Sequence, residues 1–201
     1  MWRGIMKISC IGDISKNDIK LLCKYAKVSD RIIEFGSGGS TQVFAHFKEI
    51  ISLETEDIWI NITKTHIESL GLIPTKFMKW DDRKFEGIYD LVFNDGLVDL
   101  RFKFFNEVFP FVKIGGKILI HDTRGSSEYI NQLCDCIKPF YNEISNISIN
   151  EDDSNITVLT KCALMTYENW NIIEGKEQWE FTQSTKPDNW KKVLKGTEIQ
   201  I

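Results

Sequence analysis

Apolar positions along the chain switch between two periods. From Ser15 to Lys27 they fall at Ile19, Leu22, Cys23 and Ala26, the three-and-four spacing of a helix face, and Ser15 with Asp18 three residues on is close to a capping box. Arg31 to Phe35 is then a short β-branched and aromatic run, a strand, which stops at Gly36-Ser37-Gly38-Gly39. Ser40 or Thr41 can cap a helix that follows through Phe47. The same alternation predicts strands at Glu49 to Leu53, Thr75 to Trp80, Tyr89 to Asn94 and Lys117 to His121, with helices at Asp57 to Leu70, Val98 to Val112 and Ser126 to Phe140. Ile118-Leu119-Ile120 suits a strand buried on both faces. The pattern predicts an α/β fold, a parallel sheet covered by helices on both sides.

After Pro139 the alternation ends. Two strand-like runs, Glu143 to Ile149 and Asn155 to Lys161, flank the acidic turn Asn150 to Ser154 and read as a closing antiparallel hairpin. Beyond Cys162 the composition changes to tryptophans (Trp170, Trp179, Trp190) set among Asn, Glu and Lys. Trp179 and Phe181 alternate as in a strand, and Pro187-Asp188 opens a short helix that Gly196 stops. The reading is one domain over residues 1–201, with its core at about 14–161 and an extension from about 163. Completing the fold is the default use of that extension; a lid on an acceptor pocket, cover for a sheet edge and a homodimer contact are the others.

Composition narrows the partners. With 25 Lys and Arg against 29 Asp and Glu, the net charge of -4 argues against a broad nucleic-acid footprint. No run approaches the roughly 20 apolar residues of a membrane helix, and the first ten residues carry no apolar core of a secretory signal. Five scattered cysteines include no Cys-x-x-Cys pair, so a reduced, cytoplasmic protein is expected.

The glycine cluster between a buried strand and a helix start lets backbone pass close to a ligand and points helix-end amides at it. The dinucleotide fingerprint would need a third glycine at Thr41, and no Gly-Lys-Ser/Thr follows for a phosphate loop. Instead one acid, Glu34, precedes the loop, and another, Glu54, follows the second strand, where a carboxylate can accept both hydroxyls of a ribose. Glu34-Phe-Gly-Ser-Gly-Gly-Ser-Thr41, Ser52-Leu-Glu54, Tyr89-Asp-Leu-Val-Phe-Asn-Asp-Gly96 and Lys113-Ile-Gly-Gly-Lys-Ile-Leu-Ile-His-Asp122 occur in order at fitting separations. Over roughly Ile14 to Lys161 the chain resembles the class I S-adenosylmethionine-dependent methyltransferases. The resemblance implies a Rossmann-like three-layer sandwich with a seven-stranded sheet in the order 3-2-1-4-5-7-6, the seventh strand antiparallel. It also implies S-adenosylmethionine as cofactor, with Glu34, Gly36, Ser37, Gly38, Gly39, Ser40 and Thr41 forming the loop motif and Glu54 on the ribose. Asp81 or Asp82 would approach the adenine amino group. Trp59 and Trp80 either border adenine or pack in the core, packing being the commoner use.

Methyl transfer needs a nucleophile aligned with the carbon–sulfur bond and, for a hydroxyl, a group to take its proton. The fourth and fifth strands end at Asn94, Asp95 and Gly96 and at His121, Asp122 and Thr123, which brings acid and imidazole to one rim. His121 as base, with Asp95 or Asp122 orienting it or binding the cofactor's amino group, is the catalytic expectation; capping of the strand end is its structural counterpart. Two acids could also hold a divalent metal, as in the metal-dependent O-methyltransferases, but Val98 stands where the related pattern has His, so the metal-free reading is favoured. His46 and His66 fall on helices as packing or surface residues; Arg101 and Lys103 could contact an acidic acceptor, but charges on a helix are usually its solvated face. The Asn/Asp-Pro-Pro-Tyr/Phe motif of base methylation is missing, which points to oxygen, less readily nitrogen, of a small molecule or saccharide as acceptor. A non-catalytic subunit with the same fold and a nucleotide-dependent oxidoreductase are the alternatives.

Overall fold

A computed structural model describes residues 5–8, 14–124, 127–164 and 197–200. Seven strands form the central sheet: β2 (Ile32–Phe35), β3 (Ile50–Glu54), β4 (Lys76–Lys79), β5 (Tyr89–Asn94), β6 (Val112–His121), β7 (Ile144–Ser148) and β8 (Ile156–Lys161). They lie in the order β4-β3-β2-β5-β6-β8-β7, which is 3-2-1-4-5-7-6 when counted within this sheet. Neighbours from β4 to β6 pair in parallel, and β8 is antiparallel to both β6 and β7. A separate pair was not expected from sequence: β1 (Ile5–Ile8) runs antiparallel to β9 (Thr197–Gln200), joining the two ends of the chain. The expected strand at Trp179 and helix at Pro187 lie outside the described residues.

Helices α1 (Lys16–Ala26) and α2 (Gly39–Ala45) cover one face, and α4 (Val98–Val108) and α5 (Ser127–Ile137) the other; α3 (Asp57–Ser69) packs beside α2. The capping box of α1 is present, with Ser15 and Asp18 bonded reciprocally. Helix α2 is capped at Gly38, not at the expected Ser40 or Thr41, and stops at Ala45, short of Phe47; α4 and α5 are also shorter than their apolar spacing predicts. After α4 and α5 the chain tightens into 3-10 turns at Phe109–Phe111 and Lys138–Glu143, because Pro110 and Pro139 cannot donate to the helical ladder. Strand β6 instead begins earlier than expected, at Val112, with Gly115 at φ 84° and a register shift opposite Tyr89 and Leu91. No described helix is long and apolar enough to cross a membrane.

The period of two decides which side chains meet. Ile33 and Phe35 face α4, whereas Ile32 faces α1 and α2 and takes Glu34 with it; on β6, Ile118 and Ile120 face α4 and α5, and Leu119 takes His121 to the α1 side. Both polar groups are thereby buried beneath helices. On the opposite face Phe35 packs its ring 4.6 Å from Trp80 and 5.3 Å from Phe104. Phe35→Ala should cost roughly 3–5 kcal/mol of unfolding free energy in urea denaturation; a loss under about 1 kcal/mol would show that this cluster does not anchor the sheet.

Candidate functional site

The strand ends β2, β3 and β5 open a cleft lined by Ile14, the loop Gly36 to Ser40, Glu54 to Glu56, Trp59 and Asp95 to Leu97. Two glycines let its walls close up. Gly36 has φ 99°, and a Cβ there would lie 2.6 Å from the Asp95 carbonyl oxygen; a Cβ on Gly96 would lie 2.3 Å from the Phe35 ring. Only glycine fits either place without moving backbone or a buried ring.

Glu54 binds the loop as well as facing the cleft. One carboxylate oxygen, Oε2, accepts the Ser37 amide at 2.9 Å, while Oε1 accepts the amides of Thr55 and Glu56 and the Thr55 hydroxyl. Gly38 donates its amide to Thr41 Oγ1 at 2.8 Å, which starts α2. Glu34 has no exposed surface and does not line the cleft; it accepts hydroxyls from Ser40 at 2.9 Å and Ser52 at 2.7 Å. Ser37 Oγ and Ser52 Oγ share a hydrogen bond of 2.8 Å, which makes a hydroxyl chain from the loop to the buried acid. Burial pushes the Glu34 carboxyl up to about 8 despite the lowering effect of the Thr41, Ser52 and Ser40 hydroxyls.

Of the residues expected to bind cofactor, Gly36, Ser37, Gly38, Gly39, Ser40, Glu54 and Asp95 line the cleft, whereas Glu34 and Thr41 sit behind the loop. Asp81 and Asp82 do not come to it. They are exposed on the 3-10 turn after β4, where Arg83 lies over the Trp80 ring and pairs with Glu107. Trp80 is a core residue, 6% exposed, while Trp59 is on the cleft.

The rim at β5 and β6 differs from the catalytic expectation. His121 is 2% exposed and is absent from the cleft lining, as is Asp122. Its Nδ1 lies 3.0 Å from Asp95 Oδ1 and 3.4 Å from Asp122 Oδ1, and its Nε2 3.5 Å from Asp18 Oδ2. Burial alone would depress the imidazole pKa, but Asp95, Asp18 and Asp122 outweigh it and hold it well above the usual value. Burial likewise opposes ionisation of Asp18, yet His121, the Asn155 amide and Ser15 hold its carboxyl below the usual range. His121 is thus a buried cation clamped between acids.

Two members of this cluster were missed in the sequence. Asp18 was read only as a cap, and Arg101 as a solvated face, yet Arg101 is 6% exposed. Its Nε donates to the Gly96 carbonyl at 2.6 Å, Nη1 to the His121 carbonyl and Tyr129 hydroxyl, and Nη2 to Asp95 Oδ1 at 3.0 Å and Asp122 Oδ2 at 3.1 Å. Asp122 takes a left-handed backbone, φ 61°, to reach Arg101 with one oxygen and the Asn155 amide nitrogen with the other. The position of Arg101, one turn into a helix that starts at the strand end, is the only signal the sequence offers.

The architecture is the Rossmann-like fold of the class I methyltransferases. No family model and no curated protein matches the sequence. Among solved structures, the chain is similar to a methyltransferase-like protein from Silicibacter pomeroyi, with TM-score 0.59 and 13% identity over 82% of this chain and 95% of that one. It is similar also to the O-methyltransferase TomG from Streptomyces achromogenes, solved with S-adenosylmethionine, at TM-score 0.59 and 14% identity over 75% and 82%. A third is the Podospora anserina methyltransferase PaMTH1, bound to S-adenosylhomocysteine, at TM-score 0.57 and 18% identity over 72% and 78%.

Both buried groups with raised pKa values make stability fall as pH rises. For Glu34 the contribution is complete below about 4.5 and lost as pH climbs through about 8. For His121 it is complete below about 6.5 and lost through its higher folded value. Unfolding free energy measured from pH 5 to 9 should therefore decline, and Glu34→Gln should flatten the decline below pH 8. A wild-type curve rising over that range would contradict the assignment.

Proposed function

We propose that the protein binds S-adenosylmethionine in this cleft and transfers its methyl group to an oxygen, less readily a nitrogen, of a small molecule or saccharide. The observation that carries the reading is the loop Gly36 to Ser40, backed by Glu34 and tied through Ser37 to Glu54 at the cleft edge. Similarity to the fold of methyltransferases solved with this cofactor and its product supports it.

The roles follow from what lines the cleft. Loop amides and small side chains from Gly36 to Ser40 lie beneath the methionine and ribose parts, and Glu54 accepts the ribose hydroxyls. Trp59 offers a ring face to adenine, and Thr55 and Glu56 offer polar edges in the place first assigned to Asp81 or Asp82. The sulfonium supplies an electrophilic methyl group; the protein's task is to orient the acceptor oxygen and receive its proton. Asp95 is the acid at that end. Among the described residues its side chain is bonded to His121 and Arg101, both on Oδ1, which leaves Oδ2 for the cofactor's amino group or the acceptor hydroxyl. His121, Arg101 and Asp122 act through Asp95 as positioning residues. Leu97 and Ile14 give the acceptor side an apolar rim, which suits a flat or alkyl portion of a small molecule better than a phosphate backbone.

Titration calorimetry tests the reading. S-adenosylmethionine and S-adenosylhomocysteine should bind and NAD should not, and Glu54→Ala should weaken both adenosyl ligands roughly tenfold to hundredfold, the effect of losing charge-assisted hydrogen bonds. NAD binding would favour the oxidoreductase, and no binding a non-catalytic role.

A further inference from the structure

The metal-dependent relatives of this fold raise the question of whether Asp95, His121 and Asp122 form a metal centre. Each offers one ligand atom, and these atoms lie within 4.8 Å of one another. Two carboxylates and an imidazole are a donor set suited to a divalent first-row ion. The remaining contacts of the same atoms decide whether the set can be used.

Arg101 Nη2 bridges the two carboxylates, 3.0 Å from Asp95 Oδ1 and 3.1 Å from Asp122 Oδ2. The guanidinium is anchored independently of them by the Gly96 and His121 carbonyls and the Tyr129 hydroxyl, so all five of its N–H donors have acceptors. His121 has a carboxylate at each ring nitrogen, Asp95 at Nδ1 and Asp18 at Nε2. Facing acceptors on both sides, both nitrogens serve as donors, and no lone pair is left for a metal. The donor set therefore does not fit a metal as it stands.

We infer that Arg101 is a built-in cation at the place a divalent ion would take, bridging Asp95 and Asp122 and excluding metal from the rim. A guanidinium cannot be deprotonated and binds no water as a Lewis acid does. It therefore supplies fixed charge and orientation to Asp95 and cannot activate an acceptor hydroxyl by coordination. The inference rests on the proposed function only for that last consequence. Metal binding is measured with no cofactor present, so failure of one is distinguishable from failure of the other.

The experiment is titration of the purified protein with Mn2+, following the electron paramagnetic resonance signal of the free ion. Wild type should leave Mn2+ free. Arg101→Ala, shown folded by circular dichroism, should gain one site on the Asp95 and Asp122 carboxylates, with His121 still a donor and no ligand to it, and with affinity raised roughly tenfold or more by the uncompensated charge. Asp122→Asn in the same background should remove that site, and Arg101→Lys, which restores a cation, should not form it. A wild-type site lost in Asp122→Asn would overturn the inference, as would a folded Arg101→Ala that binds no Mn2+. Should Arg101→Ala not fold, the wild-type titration decides alone: free Mn2+ supports the built-in cation, and an Asp122-dependent site refutes it.

Discussion

Three carboxylates and two cations packed at the carboxyl ends of β5 and β6 are the constraint around which the site is arranged. Asp18, Asp95 and Asp122 surround His121 and Arg101, and four elements meet through them: α1, β5, β6 and α4. Removing such charges from water is costly, and the cluster is tolerable only because nearly every donor in it has an acceptor. Its effect is positional. Asp95 is held from two sides by one oxygen while its residue lines the cleft.

A second polar centre does the same for the other wall. Glu34 lies under the glycine loop, and its contacts with Ser40 and Ser52, extended through Ser37, fix the loop from below. Glu54 fixes it from the side. Both walls depend on sheet alternation, which turns Glu34 and His121 toward α1 and α2 while their neighbours fill the apolar layer beneath α4 and α5. Position in the strand thus turns each into a support.

Much of this was legible in the sequence because the signals are local. Strand β5 was bounded at both ends, the capping box of α1 was visible as Ser15 and Asp18, and the glycine loop and Glu54 came to one cleft. Helix ends were misjudged where a proline overrode apolar spacing. What was not legible depends on distant partners. The pairing of β1 with β9 joins the two ends of the chain, and the burial of Arg101 follows from Asp122 and Tyr129, 21 and 28 residues away. His121 looked like a base because its residue type and strand-end position are those of one. Only the fold brings Asp18, 103 residues away, against its far nitrogen.

The most direct test of the account is a crystal structure grown with S-adenosylhomocysteine. Density should run over residues 36–40 with the ribose hydroxyls on Glu54, and Asp95 should remain bonded to Arg101 and His121. A ligand bound elsewhere, or an Asp95 that abandons both cations to meet it, would contradict the claim that the buried charges set the geometry of the cleft.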